Sequence, residues 1–365
     1  MGRKPANADV RRITLKDIAA ELNVSLSTVN KALTGRIGVS DEMRKTIMDT
    51  ANAMGYRVNR LAQSLSRNDL VIGIILPVVW QEFYGYLKAG MDDMLSELQD
   101  YRITAEYRTV SNLYSHAEII EGIRYFDEKN VDGIVICPNF ECDYNDELAK
   151  LSEKKVPVVL LGGDLNGAKR LTCVRHDSIL SGQMAAEFMA HLLPEGKTSA
   201  IFIGNKNMSD HQEKVAGFLK IPGVMRNPTA DVYETLDEPA VAYILTQKLI
   251  RERLDIGGIY VATSNSMAVC QCIREHNMQG KLRVVGTDIF PSMQPLFDAQ
   301  LIQGVIFQDP IRQGKIAIRV LFDYLTMNKP CAEDTLVYPH MVLASNFPCY
   351  LETLMQHNIN DKTAT

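Results

Sequence analysis

Apolar positions along the chain follow two regimes. Up to residue 54 they are sparse and helix-spaced, whereas from residue 71 they come in short unbroken runs that alternate with longer helix-spaced stretches. In the first regime Thr14 is placed to cap a helix, with Asp17 completing a shortened capping box, and Ile18, Ala19 and Leu22 fall on one face. Asn23 suits the left-handed turn that stops this helix and lets Val24 plug the gap. Ser25 then caps a second helix, Leu26–Leu33, which turns Val29, Ala32 and Leu33 inward and leaves Leu26, Ser27, Asn30 and Lys31 on its outer face. Gly35 ends it. Ser40 caps a third helix with Met43, Ile47, Ala51 and Met54 on one stripe, and Gly55 follows as a C′ glycine. Three short helices with a tight second turn are a helix-turn-helix unit.

The second regime opens with VIGIILP, a buried strand bounded by Pro77. Further apolar runs at 133–137, 156–161, 199–203, 258–262 and 282–285 are separated by helical patterns at 85–98, 117–129, 181–193, 240–253 and 266–277. This is a parallel α/β reading in two Rossmann-like halves, with a break near 171–177. A late apolar segment, Gly304–Phe307, precedes a helix over 311–327 and a strand-like run over 335–343.

Charge divides the chain at the same place. Residues 1–67 hold 12 Lys and Arg against 6 Asp and Glu, leaving 27 against 38 for the remainder, so an acidic body carries a basic head. That distribution suits nucleic acid at one end only. Composition adds little else: 46% hydrophobic and 23% charged residues are ordinary for a globular chain. The seven cysteines, Cys137, Cys142, Cys173, Cys270, Cys272, Cys331 and Cys349, are odd in number, scattered and without paired C-x-x-C spacing, so they read as reduced thiols. Neither a run of some 18 apolar residues nor a signal-peptide core occurs, which leads to the expectation of a cytoplasmic protein without a membrane partner.

After the third helix comes Asn59-Arg60-Leu61-Ala62-Gln63-Ser64-Leu65, one or two amphipathic turns too short to be stable alone. Together with D-I-A-x-x-x-x-V-S-x-x-T-V-x-x-x-L from Asp17 to Leu33 and the Gly55-Tyr56 pair, it resembles the LacI/GalR family of bacterial transcription regulators, more loosely to the C-terminus. The resemblance implies an all-α helix-turn-helix head (1–58), a hinge helix and linker (59–69) and an α/β two-lobed periplasmic-binding-protein-like body with parallel sheets (70–365). The N-lobe is expected at about 70–174 and 308–337, the C-lobe at about 175–307 and 338–355, with three chain crossings between them. It further implies a homodimer on a pseudo-palindromic operator, with DNA contacts at Thr14, Ser25, Leu26, Ser27, Thr28, Asn30 and Lys31 of the head and Asn59, Arg60, Ala62 and Leu65 of the hinge. Leu65 would wedge between bases from the minor groove. Lys31 either donates to guanine O6 and N7 or touches phosphate; Leu26 could meet a thymine methyl.

The resemblance also places a small-molecule effector, a sugar or sugar derivative or alternatively a nucleobase, between the lobes, outside the carboxyl ends of the strands. Candidates from the first lobe are Trp80, Phe83 and Tyr84 after the first strand, Asn139 after the third, and Asp164. Trp80, the single tryptophan, either faces a sugar ring or packs the lobe. From the second lobe come Asp210, His211, Lys214, Ser264, Asn265, Asp288 and Gln308, with Asp309 bracing the crossover. Lys214 stands where many sugar-binding members have arginine; a lysine lacks the bidentate fork, though it could meet a ligand carboxylate. His211 is the weakest of these, since a histidine in such a turn is usually a plain surface residue. Asp288, in Val285-Gly286-Thr287-Asp288, is the favoured acceptor for ligand hydroxyls.

Catalytic motifs fail on specifics. Gly196-Lys197-Thr198 has His191 where a P-loop needs its first glycine, and no G-x-S-x-G, H-E-x-x-H or dinucleotide fingerprint occurs. No cofactor or metal has a seat, and the expectation is a non-enzyme. A solute-binding protein without a regulatory role is the alternative, and the basic head argues against it.

Overall fold

A computed structural model describes residues 13–33, 38–54, 69–78, 81–111, 116–138, 143–220 and 230–357. The chain divides into two units, described separately below.

In the head, α1 (Leu15–Glu21), α2 (Leu26–Leu33) and α3 (Asp41–Ala53) close on a small core of Ile18, Val29, Ala32, Ile47 and Ala51. The Asp17 carboxylate accepts from both the Thr14 amide and the Thr14 hydroxyl, each at 2.7 Å, within the capping box that starts α1. Asn23 takes φ 50° and stops α1. Ser25 Oγ accepts from the Thr28 amide at 3.0 Å, capping α2. At the other end of α2, Arg44 Nη1 of α3 donates to the Ala32 carbonyl at 3.0 Å and fixes the angle between the two helices. Met43, expected inward, is exposed; the α3 stripe buries only from Ile47 onward, because a three-helix head has too little interior for the first turn.

The body holds two six-stranded sheets. The first has the order β11-β5-β4-β3-β1-β2, built from β1 (Leu70–Pro77), β2 (Ile103–Val110), β3 (Gly133–Ile136), β4 (Val158–Leu161), β5 (Thr172–His176) and β11 (Asp334–Val337), all parallel. The second has the order β12-β10-β9-β8-β6-β7, built from β6 (Thr198–Ile203), β7 (Ala230–Glu234), β8 (Ile256–Val261), β9 (Arg283–Thr287), β10 (Gly304–Phe307) and β12 (His340–Val342). Among the described strands only β12 runs antiparallel. The central strands are buried on both faces, as unbroken apolar runs such as LVIGIILP require in a sheet covered by helices on either side.

Helices α4 (Gln81–Glu97), α5 (His116–Glu128) and α6 (Asn145–Glu153) belong to the first lobe, as does α12 (Pro310–Met327). The second lobe has α7 (Ser178–Leu192) and α8 (Ser209–Leu219) on one face and α9 (Pro239–Glu252), α10 (Ser266–Glu275), α11 (Gln294–Asp298) and α13 (Phe347–Gln356) on the other. In each lobe one helix pair crosses at glycines. A Cβ on Gly90 of α4 would lie 1.9 Å from the Ile311 carbonyl oxygen of α12, and one on Gly217 of α8 would lie 2.1 Å from that of Ile179 in α7.

Three sequence expectations are corrected. The break at 171–177 is a parallel strand, β5, running on to His176 before the chain crosses to α7. The run over 335–343 is two strands in different sheets, with the chain changing lobe at 338–339. Helix α4 starts at Gln81, so Phe83 and Tyr84 lie in its first turn instead of a loop. Strands β2 and β7 went unnoticed because, as sheet edges, they alternate polar and apolar residues and lack a continuous apolar run.

Candidate functional site

Between the two lobes of the body lies a cavity of about 270 Å³ at the carboxyl ends of the strands. Phe83, Tyr84, Asp210, His211, Lys214, Ser264, Asn265, Asp288 and Gln308 line it, as the sequence reading expected. Phe83 and Tyr84 meet edge to face with ring centroids 5.3 Å apart and form its aromatic wall from the first lobe. Trp80 and Asn139 lie outside the described residues, as do Asn59, Arg60, Ala62 and Leu65 of the hinge.

Asp164 is not in this wall. Its carboxylate is held by Arg170 through Nε at 2.7 Å and Nη2 at 2.6 Å, and Arg170 also reaches Asp334 of β11 at 2.8 Å. The strand-end loop turns Asp164 toward the sheet edge, where it serves the β5–β11 junction, and only the preceding Gly162 faces the cavity. The Arg170 guanidinium pairs with both Asp164 and Asp334, and the neighbouring Cys173 thiol donates to the Gly163 carbonyl, so the three are not a metal set.

The floor is a buried charge relay. Lys214 is 2% exposed; its Nζ donates to Asp210 Oδ2 at 2.8 Å, one turn earlier on α8, and to the Ala262 carbonyl at 3.3 Å. Two of the three donors of the ammonium are thus used within the protein, and its charge is met by Asp210. Burial alone would raise the Asp210 carboxyl, but Lys214 and His176 hold it well below the ordinary carboxylate range. Asp210 Oδ1 accepts from Ser178 Oγ and lies 3.1 Å from His176 Nε2. Ser178, His176 and Asp210 do not make a nucleophilic triad. Serine and aspartate converge on the same ring nitrogen, Nδ1 has no partner among the described residues, and the Ser178 proton goes to the carboxylate.

His211, the weakest of the cavity candidates, is 5% exposed rather than a plain surface histidine; its Nδ1 accepts from the Asn205 amide at 3.1 Å. Burial and the nearby Lys214 charge push its pKa down to about 4, so the ring is neutral near pH 7. Asp288 leaves β9 in the left-handed region, at φ 61°, and its carboxylate accepts from Gln308 Nε2 at 2.5 Å and from the Gln308 amide at 3.3 Å. Burial raises its proton affinity against the opposing pull of Lys214 and Gln308. Asp309, next in the chain at φ 53°, accepts from the Arg312 amide and starts α12.

The sequence reading missed Asp237, Thr287 and Phe290, which also line the cavity. Asp237 follows the unrecognised β7; the signal available was Asp-Glu-Pro, a helix start with proline at its first position.

Against this geometry stand the likenesses to known proteins. The periplasmic binding protein domain matches residues 72–330, and the lacI family of bacterial regulatory proteins matches residues 14–59. The chain belongs to the LacI/GalR family of bacterial transcription regulators. As a LacI-family regulator it is 25% identical over 342 residues to catabolite control protein A of Priestia megaterium, covering 90% of this chain and 97% of that one. It is likewise 25% identical over 341 residues to the ribose operon repressor of Bacillus subtilis (strain 168), covering 85% and 96%. The regulator's body superposes on a periplasmic ribose ABC transporter protein from Conexibacter woesei DSM 14684 with a TM-score of 0.70 at 22% identity, covering 80% of this chain and 98% of that one. The last likeness is one of fold. Its helix-turn-helix head binds DNA, and among the described residues of the regulator no helix is long and apolar enough to cross a membrane.

Proposed function

We propose that this regulator is a homodimeric repressor whose affinity for a pseudo-palindromic operator is set by a sugar or sugar derivative bound in the cavity. The observation that carries the proposal is how the cavity walls join the lobe crossovers. Asp210 bonds to His176 and Ser178, which flank the first crossing at Asp177, and Asp288 bonds to Gln308, which begins the second. A ligand that draws on Asp210 or Asp288 pulls directly on the segments about which the lobes turn, so occupancy is translated into a lobe arrangement. The ligand does no chemistry there: the buried serine, histidine and aspartate are arranged to hold one another. A relative named as a ribose operon repressor supports the sugar class. In the head, Leu26, Ser27 and Lys31 stand exposed on α2, available to a major groove, while Ser25 and Thr28 are occupied in capping and are suited to phosphate contact at most. Leu65 would supply the minor-groove wedge by family resemblance.

The test is a melting screen of the full chain against monosaccharides, followed by operator gel shifts with and without any stabilising compound. A ligand that binds only the folded state raises its melting temperature. The expected result is a compound that stabilises the protein and changes operator affinity by about 5–150-fold. A stabilising compound with no effect on operator affinity would overturn the regulatory reading.

A further inference from the structure

We propose that the small molecule taken by this cavity carries a cationic amine alongside its hydroxyls, and that Asp237 is the counter-charge awaiting it. The inference rests on the reading of the cavity as an effector site and goes further by assigning the effector's charge.

Asp237 lines the cavity, and its carboxylate has neither a hydrogen bond nor an ion pair among the described residues. Its position is built rather than incidental. The Thr235 amide donates to the Ile203 carbonyl at 2.7 Å and the Leu236 amide to the Gly204 carbonyl at 2.8 Å, fastening the end of β7 to the end of β6. Leu236 and Asp237 then both adopt left-handed backbone, at φ 54° and 55°, a conformation that a leucine takes up only under constraint. The carboxylate drops against Gly204, where a Cβ would come within 2.1 Å of Oδ2, so glycine provides its slot. A partly buried carboxylate without a partner is unfavourable unless something else neutralises it.

No described cation in the cavity bonds to it. Lys214, the cation among the described lining residues, pairs with Asp210 and acts on Asp237 only through its field. His211 is neutral near pH 7. The segments that follow β1, β2 and β3, at 78–80, 111–115 and 139–142, contain no lysine or arginine. Arg170 after β4 is tied to Asp164 and Asp334. Asp237 and Asp288 thus face the cavity beyond the one pair that Lys214 and Asp210 make, a field that repels a phosphate or carboxylate ligand and favours a cation. The Thr287 hydroxyl also lines the cavity, at 1% exposure and beside the Tyr260 hydroxyl. An ammonium on the ligand gives Asp237 a charge-assisted hydrogen bond, and neighbouring hydroxyls serve Asp288, Thr287 and Ser264.

The effect has a defined pH window. Burial above all, with help from Asp210 and Glu238 and against the pull of Lys214, raises the Asp237 carboxyl to about 6. An aliphatic amine beside hydroxyls titrates near that of an α-amino group, about 8. Preference for the amine is therefore greatest between about pH 6 and 8 and fades as Asp237 gains a proton below that range.

The experiment is binding and thermal melting of the full-length protein at pH 7 with three matched pairs: glucose and glucosamine, galactose and galactosamine, mannose and mannosamine. The wild type and Asp237→Asn are compared. The expected result is that in at least one pair the amine binds about tenfold more tightly than the neutral sugar. Asp237→Asn should abolish that difference and raise the melting temperature of the ligand-free protein, because an uncompensated charge has gone. A neutral sugar that binds as well as its amine, or an Asp237→Asn protein that melts lower without ligand, overturns this inference and leaves the effector site standing. No shift with any of the six sugars overturns both.

Discussion

Burial moves the proton affinities of Asp237 and His211 in opposite directions, and both titrate in the same range. Asp237 is raised to about 6, so its contribution to stability is fully present below its unfolded value, near 4, and is lost as pH rises through 6. His211 is lowered to about 4, so its contribution is present above about 6.5 and is lost as pH falls toward 4. Each contributes at most roughly 3 kcal/mol, less after solvent screening at Asp237. The two nearly cancel, and the wild type should show a shallow stability profile between pH 4 and 6.5. Urea unfolding of Asp237→Asn should reveal stability that falls as pH drops across that range, and His211→Gln stability that rises. Parallel profiles in all three proteins would mean that neither group is held as its burial implies. Both residues stand beside Lys214, whose reading changed most between sequence and structure. The family resemblance identified it as a cleft residue, but a resemblance cannot say that an aspartate one turn away meets the charge of its ammonium.

Helix α8 carries Asp210, His211 and Lys214 together, so its seat on α7 decides whether the relay exists. Gly217 allows the two backbones to touch, and Gly217→Ala would force them apart, at a cost of about 1–3 kcal/mol for overpacking and with displacement of the Lys214 turn. The expected outcome is a lower melting temperature together with weakened effector binding. Gly196→Ala, at a turn where an added methyl meets no atom within 4 Å but the backbone sits at φ 76°, should lower stability without touching effector affinity. Equal loss of affinity in both proteins would show that binding follows global stability and not the α7–α8 seat. The strands that escaped the sequence reading share a cause. β2, β5 and β7 are short or edge strands with mixed polarity, and in such segments pairing with a neighbour outweighs any pattern the strand carries itself.

For the whole molecule, a basic head on an acidic body predicts that operator binding falls steeply with salt, because each phosphate met by a lysine or arginine releases a counterion. Gel shifts from 50 to 200 mM salt should lose roughly a thousandfold or more if six or more phosphates are neutralised. Lys31→Ala separates the two roles open to that residue: a flattened salt slope on every sequence marks phosphate contact, whereas relaxed discrimination at one base position marks guanine reading. An isolated head that binds as tightly as the full chain would count against the dimer.

The sequence by itself determined what depends on local pattern. Cap residues and spacing gave the three head helices, unbroken apolar runs gave the central strands, and charge segregation gave the division into head and body. Asp288, Asp210, His211 and Lys214 were placed in the cleft by resemblance to the LacI/GalR family, in keeping with ligand sites of open α/β sheets lying where strands end. Only the tertiary structure decided how these groups are spent. That Arg170 joins Asp164 to Asp334, that Lys214 reaches Ala262 as well as Asp210, and that one apolar run divides between two sheets all depend on at least one partner distant in sequence. A buried charge takes the nearest group that can compensate it, and which group is nearest is fixed by packing.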